Sequence, residues 1–265
     1  MAPTLDHAPC AAVAAEPAFR NFLYDHPPLY EKVFADYAAK LASATRIVFS
    51  RHLTKASRAI LDIGCGTGQV LNLVLDDGDD GAGLDASERM ISYGRSKYPR
   101  LQLKQCRMQS FSFDRRFDAF LMLGSVLNYA LADEDLDGTL VRIIEHAKPD
   151  AVLFMSFWNS GIFLGDGSRT RQLGMIDCDG FSAELETVYS FRLKDQLMQR
   201  QRTWRAGGQV ISEDQCTYRM YFPREIKYRL ERFGLTVIGI YGDTALETAD
   251  LNGSGCYLVA KVGQV

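Results

Sequence analysis

A short apolar strand that runs into alternating glycines is the feature that most limits the folds open to this chain. The stretch reads ILDIGCGTG at residues 60–68. Glycine at 64, 66 and 68 lets the backbone turn sharply and leaves no Cβ between the main chain and a ligand packed against it. The pattern therefore predicts a strand, a tight turn and a cradle for a nucleotide.

A second acidic residue follows at the end of the next apolar run. Asp85 closes the run GAGLD, 17 residues after Gly68, where a carboxylate can accept both hydroxyls of a ribose. The two segments together predict the floor of a nucleoside pocket. A glycine turn without a ligand is the plainer alternative. It is disfavoured because Asp62 before the glycines and Asp85 after the next strand occur together.

Two classes of cofactor compete for this pocket. A dinucleotide site has the spacing G-x-G-x-x-G, because its third glycine packs the helix against the strand while the helix N-terminus faces a pyrophosphate. Here the spacing is G-x-G-x-G, and Gln69 stands where the third glycine of a dinucleotide site would be. Asp62 fits poorly beside a pyrophosphate, whereas a carboxylate there suits a cationic ammonium. The pattern favours S-adenosylmethionine over a nicotinamide or flavin cofactor.

Four segments resemble the class I S-adenosylmethionine-dependent methyltransferases in order and spacing. They are LDIGCGTG (61–68), GLDASERM (83–90), FDAFLMLGSVLNY (117–129) and RIIEHAKPDAVLFMSFW (142–158). The resemblance covers residues 28–265. It implies an α/β fold with a Rossmann-like sheet of seven strands, helices on both faces, and a final strand that runs against the others.

The resemblance also implies which residues bind the donor. Asp62 and the glycine turn hold the methionine portion, Asp85 holds the ribose, and Met90 lies against the adenine. The implied cofactor-binding residues are Tyr30, Asp62, Gly64, Cys65, Gly66, Gly68, Asp85, Ala86, Met90, Met108, Gln109, Leu123 and Gly124. Met108 and Gln109 stand where the family often has an acid beside the adenine amine, so that carboxylate is missing here. Ordinary packing is the alternative role for Tyr30 and Leu123.

The chain divides into three parts by sequence pattern. Strands and helices alternate up to Trp158, which predicts a parallel sheet with right-handed crossovers. Strand-like runs then follow around a Gly207-Gly208 turn. We therefore expect a flexible tail at 1–27, a methyltransferase domain at 28–178 and 223–265 with capping helices at its start, and an antiparallel β insertion at 179–222. Methyltransferases of nucleotide-linked aminosugars, and the related glycine N-methyltransferases, carry a sheet at this point.

The acceptor side is less well defined by the sequence. In the resembling enzymes the inserted sheet walls the acceptor site and often forms dimer contacts. Tyr129 stands where aminosugar methyltransferases tend to have a histidine, and we expect it to be the catalytic residue, with ring packing as an equal alternative. Asn128 and Trp158 are the expected substrate-binding residues, although Trp158 fits a sheet-edge core position as well.

The function expected from these features is methyl transfer to a small molecule. A neutral amine nitrogen is the favoured acceptor because it needs little activation, whereas a hydroxyl usually requires a general base or a metal. O-methylation of a natural-product hydroxyl or carboxylate is one alternative, and a non-catalytic S-adenosylmethionine-binding regulatory partner is another. The resemblance to the aminosugar methyltransferases implies a nucleotide-linked acceptor.

Charge and composition limit the partners and the compartment that we expect for this protein. The net charge of −3 argues against a general nucleic-acid grip, which needs a basic face. No apolar run approaches the length of a membrane span. The six cysteines include no CxxC pair, so we expect no metal and a reduced, cytoplasmic protein. The resemblance to the enzymes with an inserted sheet implies a homodimer through that sheet.

The inserted segment also carries a basic cluster, Arg200, Arg202 and Arg205. Positions 200 and 202 share one face of a regular strand and 205 does not. The cluster is compatible with a phosphate on the acceptor, but a solvated strand face is the favoured interpretation.

Overall fold

The computed structural model describes residues 20–55, 57–164, 170–248 and 250–263. The strands are β1 (Ala59–Ile63), β2 (Asp80–Asp85), β3 (Gln102–Gln105), β4 (Phe117–Met122), β5 (Ala147–Trp158), β6 (Arg171–Cys178), β7 (Phe181–Arg192), β8 (Leu197–Ala206), β9 (Gln209–Arg219), β10 (Leu235–Tyr241) and β11 (Gly255–Val262). The helices are α1 (Phe22–Asp25), α2 (Pro27–Val33), α3 (Ala35–His52), α4 (Gln69–Val74), α5 (Glu88–Lys97), α6 (Asp133–Glu145) and α7 (Pro223–Arg232).

The larger sheet has seven strands in the order β10-β11-β5-β4-β1-β2-β3. Strands β1 to β5 pair in parallel, whereas β11 runs antiparallel to both of its neighbours, β5 and β10. The predicted fold of seven strands with a reversed final strand is confirmed. Because β1 and β4 are adjacent and their crossovers run to opposite sides, the strand order reverses at this point, where open α/β sheets bind ligands.

Both faces of this sheet are covered by helices. Alternation along β1 sends Ile60 to one face and Leu61 to the other, and both are fully buried. Ile60 packs with apolar residues of α3 and α4, such as Val48 and Leu71. Leu61 packs in the layer that contains residues of α6 and α7. Asp62 lies on the same face as Ile60, so its carboxylate points toward the side of the amino-terminal helices.

A separate antiparallel sheet has the order β6-β7-β8-β9. It begins at Arg171, so its first strand lies outside the 179–222 range that the sequence predicted for the insertion. The pattern of β6 explains the difference. The strand is at the edge of the sheet, most of its residues are exposed, and an edge strand without a buried face carries no alternation of apolar and polar residues.

The end of the predicted flexible tail is ordered. Residues 1–19 lie outside the described residues, but Arg20 forms a backbone bridge with Gln215 of β9, and Leu23 in α1 is 2% exposed. The Phe22 N–H donates to Asp214 at 3.1 Å, and Arg202 donates to Asn21 at 2.7 Å. The inserted sheet therefore fixes the segment that leads into α2.

Two findings concern membrane-spanning helices and the state of the cysteines. Within the described residues, no helix is long and apolar enough to cross a membrane. The thiols of Cys65, Cys178, Cys216 and Cys256 are free.

Candidate active site

A cavity of about 350 Å³ opens at the carboxyl ends of β1, β4 and β5, between the amino-terminal helices and the inserted sheet. Its volume lies within the range typical of small-molecule sites. Residues predicted to bind the donor and residues predicted for the acceptor side both line this cavity. They are Tyr30, Asp62, Gly64, Cys65, Leu123, Gly124, Tyr129 and Trp158. Described residues that the sequence did not single out for the site line it too, among them Tyr24, Ser156 and Tyr218.

The glycine turn forms one wall of the cavity. Its backbone packs so closely against neighbouring atoms that a side chain at Gly64 would not fit. Gly64 has a φ of +73°, and a Cβ added there would lie 1.9 Å from Cγ2 of Val126, in the turn after β4. The backbone N–H groups of Gly64 and Cys65 both donate to the carbonyl of Leu84. The turn is therefore fastened to β2 and the loop after β4, and main-chain atoms face the cavity.

Asp62 supplies the acidic group at this end of the cavity. Its side chain is 3% exposed, and no cation among the described residues pairs with it. Burial, with the nearby Asp85 carboxylate as a second cause, raises the pKa of Asp62 to about 8. A buried carboxyl with a raised pKa favours a cationic partner, so the ammonium of a bound S-adenosylmethionine fits this position.

Asp85 and Met90 lie directly against the turn, although they are not cavity-lining residues. One oxygen of Asp85 accepts the N–H of Gly66 at 2.9 Å, and the other accepts the N–H of Ser87 at 2.8 Å. The terminal methyl of Met90 would be 3.3 Å from a Cβ at Gly66. Ala86 is exposed beside them. Asp85 therefore braces the turn, and its carboxylate has remaining lone pairs to accept ribose hydroxyls.

Met108 and Gln109 are placed apart from the cavity. The Gln109 amide donates to Asp135 of α6 at 3.0 Å, and Met108 packs against the apolar layer beneath α6. The Gln109 side chain is therefore already engaged with α6. The structure does not bring either residue to the cavity lining.

A buried carboxylate that sequence analysis missed joins the capping helix to the turn. Glu31 of α2 is 3% exposed and accepts the hydroxyl of Thr67 at 2.6 Å and that of Tyr98 at 3.0 Å, while Lys97 of α5 forms an ion pair with it. Charge-assisted hydrogen bonds of this kind are stronger than neutral ones. Glu31 thereby holds Tyr30, its neighbour in sequence, over the glycine turn. A glutamate in an apparently amphipathic helix gives no sequence signal of this role.

The opposite wall of the cavity is aromatic. The Tyr129 hydroxyl lies 3.1 Å from that of Tyr24 and donates to that of Tyr218 at 3.4 Å. The rings of Trp158 and Tyr218 are 4.5 Å apart between centroids. Burial raises the pKa of Tyr129 well above that of a free tyrosine. Tyr129 therefore stays protonated at neutral pH and is unsuited to removing a proton from a phenol.

Asn128 is a structural residue of the loop after β4. It is 1% exposed, its amide nitrogen donates to the Arg219 carbonyl at 2.8 Å, and its amide oxygen accepts the N–H of Trp158 at 3.1 Å. Both ends of the amide are thus used by the backbone of β5 and β9. The structure places Asn128 behind the cavity wall, where it positions Trp158.

The interpretation of the basic cluster as a solvated strand face is wrong for two of its three members. Arg200 and Arg202 line the cavity, and Arg202 is 8% exposed. Arg205 projects from the other face and pairs with Glu186 at 3.2 Å. The alternation predicted the shared face of 200 and 202 correctly. The error was to expect that face in solvent, because the first residues of the ordered amino-terminal segment cover it.

The site has a buried acid, Asp62, at one end and a cation, Arg200, at the other. Among the described residues that line the cavity, none is a histidine and only Asp62 is a carboxylic acid. In the described part of the chain, no group of three or more His, Cys, Asp or Glu side chains is arranged to hold a metal ion.

Residues 60–150 match the family described as Methyltransferase domain. A dTDP-3-amino-3,4,6-trideoxy-alpha-D-glucopyranose N,N-dimethyltransferase of Streptomyces venezuelae is 31% identical over 138 residues, which are 51% of this chain and 57% of that protein. The chain spans about half the length of the curated relatives of this kind that it matches.

Solved structures share the fold over a longer stretch. An S-adenosylmethionine-dependent methyltransferase from Clostridium acetobutylicum superposes with a TM-score of 0.76 at 16% identity, covering 92% of this chain and 100% of that one. DesVI from Streptomyces venezuelae has a TM-score of 0.72 at 23% identity, covering 93% and 100%. These likenesses concern the fold. Taken with the family match and the glycine turn, they show a methyltransferase domain at residues 60–150 in a chain that has the fold of the class I S-adenosylmethionine-dependent methyltransferases.

Proposed function

We propose that this protein transfers a methyl group from S-adenosylmethionine to an amine nitrogen of a small, sugar-like acceptor. The observation that carries the proposal is the division of the cavity. A buried acid suited to an ammonium stands at one end, and an aromatic wall without a general base stands at the other. The named activity of the relatives, N,N-dimethylation of dTDP-linked aminosugars, agrees with a nitrogen acceptor.

Bound S-adenosylmethionine supplies a methyl group on a sulfonium, ready for in-line attack. The residues of this chain provide alignment and a dry site. Asp62 and the glycine turn hold the amino-acid end, while Leu123 and Gly124, after β4, flank the sulfonium. Tyr30 and Tyr24 cover the opening from the amino-terminal side. Orientation and exclusion of water supply much of the rate of such a displacement.

The acceptor half of the cavity favours nitrogen over oxygen. A hydroxyl acceptor needs a group that removes its proton, and burial raises the pKa values of the tyrosines there, including Tyr24 and Tyr129. A neutral amine attacks without such help. The Tyr129 hydroxyl oxygen accepts a hydrogen bond from the amine N–H, which turns the nitrogen lone pair toward the methyl group. An enclosed acceptor space also weighs against a purely regulatory, donor-binding protein.

The test of this function is a methyl-transfer assay with radiolabelled S-adenosylmethionine. Matched pairs of amino and hydroxyl sugars, free and linked to a nucleoside diphosphate, serve as acceptors. We expect label on the amino members, as mono- or dimethylated product. Label confined to the hydroxyl members would favour the O-methyltransferase alternative. Tight donor binding with no transfer to either member would favour a regulatory role.

Tyr129→Phe tests the role of the tyrosine in orienting the amine. We expect kcat to fall about tenfold, the value of one neutral hydrogen bond, while donor affinity stays unchanged. The matched control is Tyr221→Phe. Its hydroxyl donates to the Ala130 carbonyl at 2.7 Å in the core, so its loss lowers the thermal midpoint and leaves kcat alone. Equal kcat in Tyr129→Phe and the wild type would remove Tyr129 from the reaction.

A further inference from the structure

Arg200 is a half-buried cation without a carboxylate partner. It lies on the inner face of β8, and its guanidinium carbon is 5.1 Å from the ring centroid of Tyr218. Its Nε is buried without a hydrogen-bond partner, and its guanidinium makes a weak hydrogen bond to the Cys216 sulfur at 3.5 Å. In the described part of the chain, no acidic side chain lies within ion-pair distance of it.

The neighbouring Arg202 shows what a compensated arginine looks like on the same strand. Its Nε donates to Asp214 at 2.9 Å and its Nη2 to Asn21 at 2.7 Å. Asp214 is fully engaged there, because its second oxygen accepts from Trp204 and from the Phe22 backbone. Arg202 is therefore a structural residue that orders the amino-terminal segment. Arg200, one pleat repeat away on the same face, has no such partner.

The groups in contact with Arg200 are neutral at physiological pH, and Asp214, a carboxylate whose charge also reaches it, is already paired with Arg202. Burial raises the pKa of the Cys216 thiol, and burial also raises the pKa values of Tyr129 and Tyr218 well above that of free tyrosine. None of them supplies a negative charge. A guanidinium cannot lose its proton, and leaving a buried charge unpaired is costly. The positive charge at this end of the cavity is thus available to a ligand.

We propose that Arg200 binds an anionic group of the acceptor, a carboxylate or a phosphate, at the end of the cavity away from Asp62. This rests on the proposed function, since it places the acceptor between Arg200 and the donor. A guanidinium matches the two oxygens of either anion, and the Tyr218 hydroxyl stands beside it to donate a further hydrogen bond. The Asp62 end receives the cationic donor and the Arg200 end an anionic acceptor, which prevents either from entering the wrong half.

Calorimetric titration of the full chain saturated with S-adenosylhomocysteine tests this. The probes are thymidine diphosphate for a phosphate and acetate for a carboxylate. We expect one of them to bind, with an affinity that falls as salt is raised. Arg200→Gln should weaken that binding about tenfold or more, as expected for loss of a charge-assisted hydrogen bond. Arg200→Lys, which keeps the charge but not the fork, should retain part of it.

Arg205→Gln is the matched control, since Arg205 lies on the same strand but on its outer face. It should bind the probe as the wild type does. Unchanged binding in Arg200→Gln, or no binding of either probe by wild-type protein that is saturated with S-adenosylhomocysteine, would overturn the proposal and leave the proposed function standing. Failure of S-adenosylhomocysteine itself to bind would instead overturn the proposed function. If Arg200→Gln does not fold, Arg200→Lys and Arg205→Gln are compared in its place, and equal affinities would count against the proposal.

Discussion

Asp62→Asn is expected to weaken S-adenosylmethionine binding about hundredfold, or about 2.7 kcal/mol, because it removes the charge that pairs with the donor ammonium in a buried site. The amide has nearly the shape of the carboxylate, so the cavity should be preserved. Calorimetry with S-adenosylmethionine measures the change directly. Asp76→Asn is a matched control, since it is the same change of a carboxylate to an amide outside the cavity. Asp76 pairs with Arg58 at 2.6 Å and is largely exposed, so its loss should cost little affinity.

Asp62→Asn should also make the free protein more stable at neutral pH. Folding raises the pKa of Asp62 from 3.8 to about 8, so ionisation opposes folding. This loss of stability is absent below the unfolded pKa, grows as pH rises through the window between the two values, and is complete above the folded pKa. Asparagine does not ionise and escapes the loss. A higher thermal midpoint at pH 8 together with weaker donor binding would separate this effect from misfolding. A lower midpoint would contradict it.

Gly94→Ala is expected to destabilise the fold by about 3 kcal/mol through overpacking. A Cβ at Gly94 would lie 2.2 Å from the backbone oxygen of Thr67 and 2.9 Å from its carbonyl carbon. Both are backbone atoms, which cannot move aside as the end of a flexible side chain could. Helix α5 must therefore move away from the glycine turn. Chemical denaturation measures the loss of stability, and donor titration should show weaker binding because Thr67 stands between Gly66 and Gly68.

Gly174→Ala provides the comparison for Gly94→Ala. Gly174 is in edge strand β6, and a Cβ there meets nothing within 4 Å. Its free energy of unfolding should stay within about 0.5 kcal/mol of the wild type. Equal stability of the two variants would show that α5 does not pack on the backbone of the turn as described.

The donor half of the site was predictable because its signals are local. An apolar run, alternating glycines and an acid after the next run define β1, the turn and β2 by sequence alone, and the strand predicted before the glycines is Ala59–Ile63. Turn chemistry of this kind depends on residues that are neighbours in the chain. The reversed β11, by contrast, was expected through the resemblance to a family.

The acceptor half was predicted less well because distant segments build it. Tyr24 reaches the cavity only because Asp214 and Arg202 anchor the segment before α1, nearly two hundred residues away in sequence. The sequence predicts Arg200 to lie on a solvated strand face, because it does not show that this segment covers the strand. Glu31 has the sequence pattern of a solvent-exposed helix residue, and its burial depends on contacts with Thr67 and Lys97. Such contacts arise from tertiary structure, and neither hydrophobic periodicity nor residue spacing reports them.

The most direct test of the central claim, that Asp62 receives the donor ammonium, is the proton exchange that accompanies S-adenosylmethionine binding. Calorimetry in buffers of different ionisation enthalpy measures it. With the Asp62 pKa at about 8, most of the free protein at pH 7 must release a proton when the ammonium arrives. At pH 9 the carboxylate is already ionised, and the donor amine, with a pKa of about 8, must take up a proton. We predict release at pH 7, uptake at pH 9, and loss of the release in Asp62→Asn. Binding without proton release at pH 7 in the wild type would contradict the account.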